Sequence, residues 1–146
     1  VSEVRTIRSE SGVPPGRAIP LALKDAAPAT LDRLARWREP ILRLARLSSV
    51  MPLAGEVPKG AAQAVLDEAT LVLPLADVID LAAERARLAR EIARQADELK
   101  RLDAKLANPA FVARAAGEVV EESREKRAAA AAAKARLEAA LARIAI

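Results

Sequence analysis

Reading the chain in steps of three and four from Val78 gives Leu81, Arg85, Leu88, Ile92, Gln95, Leu99, Leu102 and Leu106, an unbroken ladder with apolar residues on most rungs. That spacing predicts one seam along one long helix. After PAFVARAAG, a second ladder runs through Val120, Ser123, Arg127, Ala130, Lys134, Leu137, Leu141 and Ile144. It is weaker, because Arg127 and Lys134 stand where a seam wants apolar groups. Neither helix holds alone in water, since isolated helices gain most of their stability from packing an apolar face. Asn108, Pro109 and Gly117 interrupt the helical pattern between the two runs. The spacing therefore predicts an antiparallel helical hairpin whose arms reach roughly 40 Å at about 1.5 Å per residue.

Upstream the pattern shortens. VSEVRTIRSESG reads as the tail of a helix, with Val1, Val4 and Ile7 along one side, Arg5 and Arg8 on a neighbouring face, and Gly12 as the stop. A chain that opens mid-helix, without an initiator methionine or a cap, reads as a piece of something larger. VPPG forces a turn, and Arg17 to Leu23 is a short apolar strand whose Pro20 argues for an edge position. A helix follows from about Thr30, as N-cap, to Leu47, with Leu31, Leu34, Ala35, Leu42 and Ala45 facing inward, Trp37 as its main core residue, and Pro40 kinking or splitting it. Ser48 to Leu53 reads as a second strand. AAQAVL and ATLVLPL, separated by Asp67 and Glu68, form a hairpin that feeds the long helix.

The fold class is α+β: a small β-α-β-β unit followed by a long antiparallel two-helix coiled-coil hairpin. The expected boundaries are 1–12 for a helix tail of an upstream domain, 13–76 for the small α/β linker domain and 77–146 for the arm. A unit of fewer than about 70 residues buries little, so it is expected to lean on the start of the arm or on a neighbouring domain.

Composition narrows the chemistry. The chain is 52% hydrophobic but only 1% aromatic, so its apolar content is mostly alanine and leucine, suited to close helix packing. It has no histidine and no cysteine, which removes the usual general base near neutral pH, thiol nucleophiles, disulfides and most zinc sites. Asp77 with Asp80 reads as helix capping, and Glu121 with Glu122 as a solvated first turn. Gly55 and Gly60 lack the continuation of a phosphate-binding loop. No catalytic residue, metal ligand or cofactor site is expected. No apolar run approaches the roughly 18 residues of a membrane span, so a cytoplasmic protein without membrane contact is expected.

The net charge of +4 permits a polyanionic partner without requiring one. On the outgoing helix Arg87, Arg94 and Arg101 recur at seven, with Arg90 beside them and Lys105 near the tip. A row of guanidinium groups along a rod can track a phosphate backbone without reading sequence. Glu84, Glu91 and Glu98 each precede one of those arginines by three, so intrahelical pairing is their expected first role. An exposed pair worth under about 1 kcal/mol is readily traded for a phosphate. Arg124, Lys126, Arg127, Lys134 and Arg136 offer further charge on the returning helix, and Arg114 stands at the tip. Phe111, the only phenylalanine, is expected to plug the end of the seam, with stacking on an RNA base as its alternative.

Several strings resemble the C-terminal end of bacterial valyl-tRNA synthetase, a class I aminoacyl-tRNA synthetase: VRTIRSE at the front, LPLADVIDLAAERARLAREI, LANPAFVARAAGEVVEESREK at the turn, and a final ARLEAALARI. The turn is the most specific piece, where Asn108, Phe111, Val112, Ala113, Ala115, Val119 and Val120 fall at the family's spacing. Ala116 stands where the family usually has proline, and Arg127 and Lys134 where it tends to carry leucine. Nothing resembles the HIGH and KMSKS signatures or the editing domain. The resemblance implies a tRNA-holding arm lying along the outer corner of a valine-accepting tRNA, in a parent ATP-dependent valine–tRNA ligase whose catalytic and other upstream domains are absent here. A monomer is expected. The alternative is a coiled-coil protein-interaction or dimerisation module, self-associating weakly through its under-filled returning seam.

Overall fold

A computed structural model of the chain describes residues 1–144, so the last two residues assigned to the arm lie outside the described residues. Contacts divide the chain into two compact units, one of Val1–Glu84 with the residues from Ala142 onward, the other Arg85–Leu141.

The first unit begins with α1 (Ser2–Glu10), which buries Val4, Ile7 and Arg8 and ends where Gly12 takes a positive φ of 68°. Strand β1 (Ile19–Lys24) leads into α2 (Pro28–Arg36) and α3 (Arg38–Ala45), and these into β2 (Leu47–Pro52). A hairpin follows, β3 (Ala61–Val65) and β4 (Thr70–Pro74), closed by Leu66 N–H donating to the Ala69 carbonyl. The sheet order is β2-β1-β4-β3. β1 and β2 pair in parallel, which needs the helical crossover that α2 and α3 supply, while β4 runs antiparallel to both β1 and β3. Ile7, Ile19, Leu73 and Leu75 are fully buried in the core. In β4, the consecutive residues Leu71, Val72 and Leu73 are all buried, the mark of a strand covered on both faces.

The end of the chain closes this unit. Ile144 bridges to the fully buried Ala62, and Arg143 donates to Glu3 at 3.2 Å and to Glu10. Gly60, at φ 76°, is held to glycine twice over: the backbone is left-handed, and a Cβ would meet Leu81 Cδ1 at 2.7 Å.

Three sequence expectations are overturned. β1 is a central strand, not an edge. Pro20 is tolerated because the parallel register shifts between Ile19 and Pro20, and the β4 ladder reaches only Ala22–Lys24, so no N–H is missed. The first helix starts at Pro28, not Thr30; Thr30 Oγ1 is spent on Glu68 at 3.0 Å. Pro40 does split the helix: the break falls at Trp37, three residues before it, because proline has no N–H to offer the carbonyl one turn back. That break turns Trp37 outward, 56% exposed and no core residue, and leaves Ala35 exposed as well.

The second unit holds most of α4 (Leu81–Ala107), all of α5 (Pro109–Arg114) and α6 (Gly117–Arg143) up to Leu141. Asp80 caps α4, its Oδ1 accepting from Ala83 N–H at 3.0 Å. Every rung of the outgoing ladder is buried or half-buried, Leu88 and Leu102 almost completely. α4 and α6 pack as the predicted hairpin. The turn is itself helical: Asn108 caps α5 by accepting from Ala110 N–H, Pro109 takes the first helical position, and Gly117 opens α6 instead of breaking it. The α6 side of the seam is built of small groups, with Ser123, Ala130 and Ala140 buried, and Ser123 Oγ donates to the Val119 carbonyl. Arg127 leaves the seam to pair with Asp103 on α4, and Lys134 reaches Glu138 one turn on at 2.6 Å.

Candidate nucleic-acid interface

A helix advances about 100° per residue, so Arg87, Arg90, Arg94, Arg101 and Lys105 fall within roughly 60° of one another, on the face of α4 away from the seam. All five are exposed. Glu91 and Glu98 lie between this stripe and the seam and are half-buried. Arg94 donates to Glu91 at 2.8 Å and Arg101 to Glu98 at 2.7 Å, as the spacing of three predicts. Among the described residues Arg90 carries no hydrogen bond or ion pair, so it is the stripe's uncommitted charge.

The returning helix divides its candidates. Lys126 pairs with Glu122 at 2.6 Å and is close enough to Glu98 to act on it, so it joins the side of the hairpin that carries the stripe. Arg124 pairs with Glu121 at 3.3 Å but points about 160° away from Lys126, toward the opposite side. At the tip, Lys105 Nζ stands 4.7 Å from the centre of the half-buried Phe111 ring, a cation–π contact that ties the end of α4 to α5. Phe111 is thus engaged within the turn. Arg114 is exposed and has no partner among the described residues. Arg136, one of the positive charges expected on the returning helix, is likewise exposed and uncommitted, and so is Lys100, which the sequence reading did not single out. Neither stands in a periodic run, and Lys100 has Asp97 three residues before it, the spacing of an intrahelical pair, so only the structure shows it uncommitted.

Electrostatics follow the same division. The hydrogen bond from Arg101 holds the Glu98 carboxyl below its usual range, with the charges of Arg101 and Lys126 adding to it, and the guanidinium of Arg101 is raised in return. Glu122 is lowered by the hydrogen bond and charge of Lys126, with Lys105 contributing from the facing helix. These cross-helix couplings and the Arg127–Asp103 pair link α4 to α6 in the outer half of the hairpin. The described residues contain no cluster of carboxylates with metal-ligand geometry, and none of their helices is long and apolar enough to cross a membrane.

Such an arrangement defines an α+β module with a paired-helix arm that carries an exposed basic stripe. Residues 80–145 match the family described as the valyl tRNA synthetase tRNA binding arm. Nearly the whole chain is similar to bacterial valine–tRNA ligases. It is 56% identical over 144 residues to that of Granulibacter bethesdensis, 50% over 145 residues to that of Gluconobacter oxydans, and 51% over 145 residues to that of Caulobacter vibrioides. Each alignment covers 99% of this chain and 16% of the relative, so the chain spans about a sixth of the length of the curated relatives it matches. The chain belongs to the valyl-tRNA synthetase family, in its C-terminal region.

Proposed function

We propose that this chain is the tRNA-gripping C-terminal module of a valine–tRNA ligase, holding the outer corner of a valine-accepting tRNA by charge and shape. The observation that carries the reading is the exposed stripe Arg87, Arg90, Arg94, Arg101 and Lys105, with Lys126 beside it, on an arm that matches a family described as a tRNA binding arm. Phosphates along an RNA backbone are a line of negative charge, and a straight row of guanidinium and ammonium groups meets them at low strain. The existing Glu–Arg pairs preorganise the arginines and are weak enough, at about 0.2–1 kcal/mol each, to be exchanged for phosphate. Arg114 supplies a further contact at the tip, and Arg124 one on the opposite side.

In this reading the stretch itself performs no chemistry and takes no cofactor. ATP-dependent attachment of valine belongs to the remaining parts of the ligase, which are its constant partners in the cytoplasm. The module acts as a monomer on tRNA. Binding of deacylated tRNA, measured by fluorescence anisotropy over a salt series, tests it. Affinity should fall linearly on a log–log plot with salt, and substituting Arg87, Arg90, Arg94 and Arg101 by glutamine should flatten that slope by about 0.7–0.9 for each phosphate contact removed. No binding at low salt, together with a concentration-dependent dimer, would assign the hairpin to protein interaction instead.

A further inference from the structure

A second concentration of positive charge lies in the small α/β unit. Arg5 and Arg8 from α1, and Arg43 and Arg46 from the end of α3, line one cleft of about 450 Å3, and no carboxylate is among its lining residues. α1 is polarised. Its carboxylates Glu3 and Glu10 fall on one side and are engaged by Arg143, while Arg5 and Arg8 fall on another. The arginines therefore lack the counter-charges nearest to them in sequence.

The four do different work. Arg8 is 6% exposed and donates to three carbonyls, those of Arg46 at 3.1 Å, Pro14 at 3.2 Å and Arg17 at 2.6 Å. Its hydrogen bonds are satisfied, but its charge meets only neutral oxygens. Burial, and then the charge of Arg46, lower its pKa. Arg46 holds a left-handed backbone, φ 52° and ψ 56°, where glycine would be cheaper, and its guanidinium donates to the Pro15 carbonyl. Arg5 and Arg43 are exposed and have no partner among the described residues. A buried cation without a matching anion is costly, and an anion arriving from outside relieves that cost.

We propose that the cleft lined by Arg5, Arg8, Arg43 and Arg46 is a phosphodiester-binding site for an RNA backbone, separate from the stripe on the arm. Arg8 and Arg46 form its floor, fixed by backbone carbonyls, and Arg5 and Arg43 are the free guanidinium groups that take the phosphate oxygens. The tRNA-binding reading supplies only the identity of the RNA; the cleft stands on its own geometry.

The test uses the full chain with deacylated tRNA and compares three proteins over the same salt series. One is unaltered, one carries Arg5→Gln with Arg43→Gln, and one carries Arg90→Gln, Arg94→Gln and Arg101→Gln. The cleft variant should bind about tenfold more weakly near 0.1 M salt, with a salt slope flattened by about 1.5, and Arg5→Lys with Arg43→Lys should restore the slope. Both altered residues are exposed and unpaired, so the thermal midpoint should not move. Unchanged affinity and slope in the cleft variant overturn the proposal and leave the arm reading intact if the arm variant weakens. A loss of affinity without a change of slope also overturns it, since that marks a shape effect. Weakening by the cleft variant alone keeps the cleft and overturns the arm; no binding at low salt overturns both.

Discussion

The small α/β unit and the helical hairpin are held together by different means. The first buries branched and leucine side chains from five or more distant elements, with Ile7, Ile19, Leu73 and Leu75 fully enclosed, and its last residues return to α1 and β3 through Arg143 and Ile144. In the second, leucine and isoleucine rungs of α4 meet alanine and serine on α6, and most of the ion pairs join residues three or four apart on the same helix. One unit is specified by non-local packing, the other by periodicity and local pairing. That difference suits a division of labour in which the sheet unit fixes a fold and the hairpin presents a long, charged and solvated surface.

The two units differ most sharply at Leu73. Leu73→Ala leaves a cavity in an enclosed core and should cost about 3–4 kcal/mol, read as a shift in urea-unfolding midpoint. Hydrogen exchange should locate the loss in the strands; equal loss of protection along the outer parts of α4 and α6 would show that the two units unfold as one.

Leu102→Ala in the hairpin should cost less, about 2 kcal/mol. It removes one large rung from a narrow seam of small groups that can close partly around the gap. Exchange should accelerate in α4 and α6 while the β1 and β4 amides stay protected. A cost above that of Leu73→Ala would put the principal core in the wrong unit.

The smallest effect is that of pH. Glu98 and Glu122, both in the hairpin, have carboxyls lowered in the folded state, Glu98 by Arg101 and Glu122 by Lys126. A lowered carboxyl contributes stability that is complete above its ordinary range and is lost as pH falls through its folded value. Acidification from neutral pH should therefore loosen the hairpin slightly. Glu98→Gln with Glu122→Gln should reduce that dependence, as followed by helical circular dichroism. An unchanged pH profile would show that these exposed pairs contribute only to local order.

The sequence by itself determined the hairpin. A ladder from Val78 to Leu106 admits one buried face whatever surrounds it, and Asn108 with Pro109 encodes a helix stop and a new start in adjacent residues. The Glu-to-Arg spacing of three likewise declared the pairs at Glu91–Arg94 and Glu98–Arg101, because helical neighbours are set by chain geometry alone. The crossover unit was legible in outline, but its details were tertiary decisions. Pro20 sits in a central strand because a shifted register spared its missing N–H. Trp37 faces outward because the break that Pro40 causes falls one turn upstream, at Trp37 itself. The cleft of four arginines could not be read at all: Arg5 and Arg8 are separated from Arg43 and Arg46 by a strand and two helices. Only packing of α1 against the end of α3 brings like charges together at such a distance in sequence.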